Sequence, residues 1–433
     1  MEQEASEQQV QCVVQGLKGY FDSTVATRTF DSSKLQEQLE PIFLKAGYRE
    51  AWPMGCILRK KIKILLIHLC AIGDFVTTTA AIREIRRIYP NSEVMILCSP
   101  IISDLVQYCP YVDKIATVPV PPPADRDFPQ TYVANLAIAK FLLKYRFDIA
   151  FAFEFTGVSS TALLAYMSGA KERVSSIRNF HRIFAPLLTV PVNHYTIHAA
   201  DTAIDFPESI LHAPIVNRKL ELWFSPADFE VIKRIPDINN LYAVCPGAGR
   251  VKYHWPVERW PELIRLIIKA EKAAFVILGG PKEMTYGEKI RSLANSDHVV
   301  DLTGKLNLRQ TGAILKFAKF CLTNNTGTMH MAAAVGTPVL STHLSSADIQ
   351  LKVNDLERWY PYGVPSVTVR PKHGLSDCEN STNWFGCTHE EPHCIAQITP
   401  KAMFEGLQIL KERVAKHLLE PYYYSDWEPG DNQ

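Results

Sequence analysis

The sequence predicts an α/β protein with two Rossmann-like, doubly wound domains that follow an N-terminal extension. Three observations support this fold class. The chain has 433 residues, which is too many for one ordinary hydrophobic core. Nearly continuous apolar runs, typical of buried parallel strands, alternate with segments of helical periodicity. This alternation occurs in two series, which predicts one domain at residues 61–220 and a second at residues 240–400.

The N-terminal extension, residues 1–60, is predicted to pack on the main body of the protein. Its clearest element is a helix over residues 32–44, because apolar residues recur there on one helical face: Leu35, Leu39, Ile42 and Phe43. At the other end of the chain, residues 401–433 are predicted to contain most of a helix that begins at Pro400 and then an irregular tail that includes Tyr422–Trp427.

The first domain is predicted to open with the apolar strand Ile62–Leu69. A turn with Gly73 and Asp74 is predicted next, followed by a helix that begins at about Val76 and ends before Pro90, which cannot continue a helix. Later strands of this domain are predicted at Glu93–Cys98, Lys114–Val118 and Asp148–Phe153.

The second domain repeats this pattern after residue 240. Its strands are predicted at Leu241–Cys245, Ala273–Leu278, Val299–Leu302, Phe320–Thr323 and Pro338–Ser341, with helices between them. In open α/β sheets, ligands bind at the carboxyl ends of the strands. We therefore expect the two domains to face a ligand-binding cleft.

Composition narrows the classes of function. Lys and Arg number 46 and Asp and Glu number 45, so the chain lacks the basic excess typical of wholesale nucleic-acid binding. No apolar run reaches the roughly 18–20 residues that span a bilayer. The polar, acidic start also lacks the pattern of a secretory signal. We expect a cytoplasmic protein, whose membrane contact would be peripheral and at the inner membrane face.

The segment Asn324–His330 has the pattern of an anion site. It follows an apolar strand and opens a helix of small residues. A helix N-terminus presents N–H donors and a partial positive charge. Gly327 permits close approach of an anion, and Thr326 and Thr328 add hydroxyl donors. The alternative interpretation is an ordinary capped helix, because Asn and Thr are common N-caps.

Two further loops follow strands of the second domain. Residues 246–256 combine two glycines with Arg250 and Lys252, which suits contact with a phosphate or, alternatively, a solvated turn. Residues 278–283 end with Glu283. Its carboxylate could accept hydrogen bonds from a ribose, or it could be an exposed charge on a Gly-Pro turn.

Asp74 is the candidate catalytic residue of the first domain. Its carboxylate could take the proton of an acceptor hydroxyl as that hydroxyl attacks an anomeric carbon. By local rules alone, a role as the N-cap of the following helix is favoured. Arg178 and Arg182 lie in a loop-like basic stretch, and their guanidinium groups would suit an acidic acceptor.

The ten cysteines are expected to be mostly reduced thiols, as is usual in the cytosol. Cys378, Cys387 and Cys394 lie near several histidines and could bind structural zinc or iron. Their spacing lacks the Cys-x2-Cys pattern of common metal sites, so reduced thiols in a loop are the favoured interpretation.

The motifs in this order resemble those of the glycosyltransferase family 9 heptosyltransferases. Residues 63–74 read Lys-Ile-Leu-Leu-Ile-His-Leu-Cys-Ala-Ile-Gly-Asp. Residues 246–260 contain Pro-Gly-Ala-Gly-Arg and His-Trp-Pro-Val-Glu-Arg-Trp, which look like the donor-domain loop of that family. Residues 324–338 read Asn-Asn-Thr-Gly-Thr-Met-His-Met-Ala-Ala-Ala-Val-Gly-Thr-Pro and are similar to its diphosphate-binding segment. The resemblance runs from about Lys61 to Leu410.

The resemblance implies a GT-B fold, in which an acceptor-binding domain and then a nucleotide-sugar-binding domain face the active-site cleft. It also implies an inverting, metal-independent transfer of heptose, usually from ADP-heptose to the inner core of lipopolysaccharide, with no cofactor beyond the donor. Asp74 matches the family's proposed catalytic base, which overrides the N-cap interpretation. The matches to donor-binding positions are Gly247, Arg250, Lys252, Glu283, Asn325, Thr326, Gly327, Thr328 and His330.

Three departures from the family pattern keep other substrates open. One is that the leader of about 60 residues and the Cys-rich segment 373–394 go beyond a minimal member of the family. The family often has Asp at the position of Asn325, and Lys252 lies one residue further than expected from the His-Trp pair, so Arg250 could share its role. One alternative is the same fold with another nucleotide sugar or a protein acceptor. A non-catalytic protein that binds nucleotide sugars is a third hypothesis, and the presence of Asp74 counts against it.

Overall fold

The computed structural model describes residues 5–27, 31–48, 61–118, 128–153, 160–176, 182–192, 198–211, 214–344, 358–371, 391 and 393–424. The chain divides into two compact units. Unit 1 lies within Met1–Ala71, Ala80–Tyr195 and Ala200–Arg218. Unit 2 lies within Ile72–Thr79, Thr196–Ala199 and Lys219–Gln433.

Unit 1 is built on a parallel sheet of six strands: β1 (Lys63–His68), β2 (Glu93–Cys98), β3 (Lys114–Thr117), β4 (Ile149–Phe153), β5 (Glu172–Ser176) and β6 (Val190–Val192). The strand order is β3-β2-β1-β4-β5-β6, the doubly wound order of Rossmann folds. Its helices are α3 (Ile72–Ile88), α4 (Pro100–Val106), α5 (Phe128–Leu143), α6 (Ser160–Met167) and α7 (Ala199–Leu211), with a 3-10 helix at Arg182–Leu187. The first eight residues of α3 belong to unit 2.

Unit 2 repeats this topology with seven parallel strands: β7 (Leu241–Cys245), β8 (Ala274–Ile277), β9 (Val299–Asp301), β10 (Phe320–Asn324), β11 (Val339–Thr342), β12 (Ser366–Val369) and β13 (Tyr422–Tyr424). Their order is β13-β12-β11-β10-β7-β8-β9. The helices are α8 (Arg259–Ala270), α9 (Met284–Ala294), α10 (Leu308–Phe317), α11 (Gly327–Ala334) and α12 (Pro400–Ala415). Short 3-10 helices occupy Pro226–Arg234, Val251–Tyr253, Pro281–Glu283 and Cys394–Gln397.

The two parallel sheets and their helices confirm the predicted α/β class with Rossmann-like units. The central strands β1, β4, β7 and β10 are almost wholly buried, as expected for parallel strands that helices cover on both faces. Of the helices that the structure describes, none combines the length and hydrophobicity needed to traverse a bilayer.

The N-terminal extension contributes two helices, α1 (Glu7–Thr27) and α2 (Ser32–Lys45). Their apolar faces join those of α5 and α6 in one buried cluster. Phe43 is fully buried in this cluster, with its ring edge-on to the rings of Tyr48 and Tyr166 at centroid distances of 6.0 and 5.5 Å. The predicted packing of the extension on the main body is therefore confirmed, and α1 is an addition that the sequence interpretation missed.

The helix α3 corrects one prediction. It begins at Ile72 rather than near Val76, so Gly73 and Asp74 lie in its first turn and form no separate turn. Asp74 is consequently not an N-cap. A Gly-Asp pair favours a turn locally, but Ile72 and Gly73 pack tightly against the start of α11, and this packing overrides the local preference.

The C-terminal tail corrects another prediction. Tyr422–Tyr424 is not irregular but forms the parallel edge strand β13 beside β12. Its pairing is supported by a 2.8 Å hydrogen bond from the Arg370 amide to the Tyr424 carbonyl. The Tyr424 hydroxyl also donates to Glu405 at 2.6 Å. Three consecutive tyrosines show no alternation of polar and apolar residues, so the strand left no periodic signal.

The buried face of the extension makes a first testable prediction. Phe43→Ala should lower the free energy of unfolding by about 3–5 kcal/mol, because it leaves a cavity among packed rings. Leu44 is the matched control, since its side chain is 49% exposed and its replacement by Ala should cost no more than about 0.5 kcal/mol. Urea unfolding followed by circular dichroism measures both. Equal losses would contradict the packing of α2 against α5 and α6.

Candidate active site

The start of α11 lies at the carboxyl end of β10, where the sequence predicted an anion site. Thr326 occupies the N-cap position with an extended backbone, φ −155° and ψ 172°. Its side chain makes no capping hydrogen bond within the part of the chain that the structure describes. An ordinary capped helix would use that hydroxyl for the first free N–H groups. The N–H groups at this end of the helix are therefore not satisfied by the usual cap.

Two buried polar atoms lie in the first turns of α11. Thr328 Oγ1 and His330 Nδ1 are both shielded from solvent and have no hydrogen-bond partner among the described residues. The His330 side chain is only 3% exposed. Buried polar atoms in folded proteins nearly always have a partner, and an exception needs a reason such as a ligand. A helix N-terminus with these two atoms has the donors that an anion requires.

The imidazole of His330 is neutral. Burial lowers its pKa to about 3, with a further contribution from His198. A neutral ring can donate a hydrogen bond from one nitrogen, and which nitrogen carries the proton depends on its partners. The ring lies edge-on to Trp359, with 6.0 Å between centroids.

His198 is the second buried histidine of this region, and sequence analysis did not single it out. Burial lowers its pKa to about 3. Its Nε2 atom lies 2.9 Å from the carbonyl oxygen of Tyr360, and its ring stacks on Tyr362 with 4.8 Å between centroids. Both histidines are thus uncharged and lie against aromatic rings of unit 2, those of Trp359, Tyr360 and Tyr362.

The first turn of α3, which contains Asp74, lies beside the start of α11 because two glycines allow the two helix N-termini to approach. A Cβ added at Gly73 would lie 2.8 Å from Cδ2 of His330. A Cβ added at Gly327 would lie 3.0 Å from Cβ of Ile72 and 3.3 Å from the amide nitrogen of Gly73. Asp74 follows this contact directly and is 4% exposed. The structure therefore brings the predicted base and the predicted diphosphate segment together within unit 2.

The loop after β7 holds the predicted phosphate-contacting residues. Arg250 is exposed, whereas Lys252 is buried, with its Nζ atom 5.8 Å from the centre of the Tyr253 ring. His254 connects two parts of the same loop, since its Nε2 atom lies 3.0 Å from both the backbone nitrogen and the backbone oxygen of Ala248.

Glu283 lies against this loop. A Cβ added at Gly247 would lie 2.7 Å from Cγ of Glu283, and one added at Gly279 would lie 2.8 Å from its Cβ. The two glycines thus leave the space that the Glu283 side chain fills. Gly247 and Glu283, predicted separately from two loops, are neighbours in the structure.

Asn324 connects the predicted segments and was missed as an individual residue. Its Nδ2 atom donates to the carbonyl of Pro246 at 2.6 Å, and its Oδ1 atom accepts from the amide of Trp255 at 3.1 Å. The sequence signal that could have found it is a polar amide at the end of an otherwise apolar strand.

Other predicted residues contribute less. Arg178 lies outside the described residues, and Arg182 begins the 3-10 helix Arg182–Leu187 in unit 1. Of the three cysteines, Cys378 and Cys387 also lie outside the described residues, and Cys394 is buried. The described residues contain no group of three or more His, Cys, Asp or Glu side chains that could hold a metal ion.

Comparison with solved structures identifies the architecture. A family 9 glycosyltransferase from Veillonella parvula DSM 2008 superposes with a TM-score of 0.63 at 18% identity, covering 82% of this chain and 98% of that one. The E. coli ADP-heptose lps heptosyltransferase II gives a TM-score of 0.60 at 18% identity, covering 82% of this chain and all of that one. The fold is that of the GT-B glycosyltransferases.

Sequence comparison identifies the family. The model of glycosyltransferase family 9 (heptosyltransferase) matches residues 136–383, more than half of the chain. Lipooligosaccharide heptosyltransferase 2 of Haemophilus ducreyi is 25% identical over 290 residues, covering 64% of this chain and 81% of that protein. Lipopolysaccharide heptosyltransferase 2 of Escherichia coli K12 is 23% identical over 302 residues, covering 65% and 82%. The chain belongs to glycosyltransferase family 9 and is a glycosyltransferase.

The neutral histidines predict how stability depends on pH. The pKa of His330 is about 3 in the folded protein against an ordinary value of 6.5, so between these values the unfolded chain binds a proton that the folded chain does not. The stability that this group contributes is complete above pH 6.5 and is lost as the pH falls toward 3. His330→Gln should reduce the slope in this window by about 1.4 kcal/mol per pH unit. Urea unfolding across the window measures it, and an unchanged slope would contradict a neutral His330.

Proposed function

We propose that the chain is an inverting glycosyltransferase that moves a heptose from ADP-heptose to an inner-core acceptor of lipopolysaccharide. The observation that carries the proposal is a pair of buried atoms at the start of α11, Thr328 Oγ1 and His330 Nδ1, which have no hydrogen-bond partner among the residues that the structure describes. The family relatives suggest the sugar and the acceptor, since they are lipopolysaccharide or lipooligosaccharide heptosyltransferases.

The donor diphosphate is proposed to bind at the start of α11. Negative charge grows on the departing diphosphate during glycosyl transfer, and fixed donors aimed at that charge lower the barrier. The helix N-terminus, Thr328 and His330 supply such donors without a metal ion. Gly247, Arg250, Lys252, Glu283, Asn325, Thr326 and Gly327 are the remaining proposed donor contacts.

Asp74 is proposed as the general base. Inversion requires one displacement, so one carboxylate that removes the proton of the acceptor hydroxyl is sufficient. Its backbone lies one residue from the contact between Gly73 and His330, which supports a position close to the proposed diphosphate. The first turn of α3 also favours a negatively charged carboxylate there.

The acceptor side of the proposal rests on the first Rossmann-like domain, residues 61–220. Arg178 and Arg182 are the proposed contacts to acidic groups of the acceptor. An acceptor in the lipopolysaccharide core would place the reaction in the cytoplasm, with peripheral contact at the inner membrane.

A second candidate function keeps the fold but uses another nucleotide sugar or a protein acceptor. The observation that favours it is Asn325, which stands where the family often has Asp.

A panel of nucleotide sugars tests the donor. ADP-heptose or ADP at about one hundred times its dissociation constant should stabilise the folded protein by about 2.7 kcal/mol. ADP-heptose with a lipopolysaccharide-core acceptor should release ADP, whereas UDP-, GDP- and dTDP-sugars should do neither. Turnover with one of those sugars instead would support the second candidate. Binding without turnover on any acceptor would indicate a non-catalytic protein.

Replacement of the proposed base makes a separate prediction. Asp74→Asn should reduce turnover about 10²- to 10⁴-fold, because the amide cannot take the hydroxyl proton. The affinity for ADP should change little, as the leaving group is bound by α11. Asp297→Asn removes the same charge from an exposed position of unit 2 and serves as the control. Wild-type turnover by Asp74→Asn protein would rule out Asp74 as the base.

A further inference from the structure

We infer that Asn324 is a positioning residue that closes the donor loop, residues 246–255, and fixes it to the start of α11. The inference rests on the proposed function, because it concerns how that donor site is assembled. Asn324 is the last residue of β10 and is completely buried. It therefore acts through other residues rather than by contact with solvent or an exposed ligand.

All four hydrogen-bonding positions of the Asn324 amide are occupied. Nδ2 donates to the carbonyl oxygens of Pro246 at 2.6 Å and Gly247 at 3.4 Å. Oδ1 accepts from the amide of Trp255 at 3.1 Å and from the hydroxyl of Thr342 at 2.9 Å. A primary amide has two N–H donors and two lone pairs on its oxygen, so its capacity is used completely. Because the partners are carbonyl oxygens on one side of the amide and hydrogen-bond donors on the other, they also determine which of its two ends is the nitrogen.

These bonds hold the two ends of the donor loop together. Pro246 and Gly247 begin the segment that carries Arg250 and Lys252, and Trp255 ends it. One side chain therefore bonds to both ends of the loop, while its own main chain continues into residues 325–327 at the start of α11. Trp255 is anchored further, since its indole Nε1 atom donates to the carbonyl of Ile398 at 2.8 Å.

The chemistry requires an amide at this position. Leu would match its size but leave the carbonyl of Pro246 and the amide of Trp255 buried without this partner, which is unfavourable. Ionised Asp would keep the acceptor and replace the Nδ2 donor with an oxygen facing the Pro246 carbonyl. Protonated Asp would regain one donor, because its hydroxyl could point at that carbonyl. Burial favours this protonated form.

Thr342 provides the matched control. Thr342→Val removes one hydrogen bond to the same Oδ1 atom and keeps the shape of the side chain, but it leaves the bonds from Asn324 to Pro246, Gly247 and Trp255 in place. Both Thr342→Val and Asn324→Leu should lower the thermal midpoint. Only the second should loosen the donor loop, which separates positioning from general stability.

Hydrogen exchange at the amides of residues 247–255 tests the inference without any ligand. Relative to wild type at the same pH, Asn324→Leu should speed exchange about tenfold. Asn324→Asp should also speed exchange at about pH 8.5. At about pH 5.5 its exchange should return toward the wild-type rate, because burial favours the protonated form of the introduced carboxyl. Thr342→Val should match wild type at both values. Wild-type exchange in Asn324→Leu, or equal acceleration in Thr342→Val, would overturn the inference.

The affinity for ADP then separates this inference from the proposed function. If both are correct, Asn324→Leu should bind ADP about tenfold more weakly than wild type, and Asn324→Asp should recover affinity on acidification. If the loop responds as expected but wild-type protein binds neither ADP nor ADP-heptose, the donor assignment fails and the loop-closing role of Asn324 stands. If ADP binds but affinity is unchanged in Asn324→Leu, the positioning role is wrong and the donor proposal stands.

Discussion

The start of α11 is partly buried, and the need to satisfy its two shielded polar atoms, Thr328 Oγ1 and His330 Nδ1, is the constraint on which the site depends. A helix that begins inside a protein brings free N–H groups with it, and these require partners. At Thr326 the usual capping bond is missing, and Thr328 Oγ1 and His330 Nδ1 also lack partners among the described residues. An anion with several acceptor oxygens could accept hydrogen bonds from all of these groups at once.

The surroundings of this helix start follow from the same constraint. Gly73 and Gly327 allow the start of α3 to approach the start of α11 closely, and Asp74 follows Gly73 directly in the chain. The aromatic residues around His198 and His330 exclude water and keep both rings neutral. Asn324 joins the strand before α11 to the loop that carries Arg250 and Lys252. Packing, charge and hydrogen bonding thus converge on a few residues at one edge of the sheet.

Much of this arrangement could be predicted from sequence because it is encoded locally. The strands β2 and β7 were placed at their observed bounds, since parallel strands covered on both faces are continuously apolar. The chain order of the loops with Gly247, Glu283 and Thr326 also indicated one sheet edge. The resemblance to family 9 added a role for Asp74 that the local rules alone did not favour, and that role stays a prediction.

What could not be predicted depends on contacts between distant segments. The early start of α3 is set by packing of Ile72 on Gly327, and the strand β13 is set by pairing with β12. The side chains of Asn324 and His198 make hydrogen-bond contacts with residues that lie 78 and 162 positions away in sequence. A local pattern of polar and apolar residues does not predict such distant partners. Sequence periodicity therefore located the elements, whereas tertiary packing decided which side chains lie at the site.

A crystal structure of the protein with bound ADP tests the central claim most directly, because it locates the diphosphate relative to α11. The account predicts phosphate oxygens within about 3.2 Å of both Thr328 Oγ1 and His330 Nδ1 and against the first N–H groups of the helix. ADP bound with its diphosphate elsewhere, while these two atoms remain without a ligand partner, would contradict it.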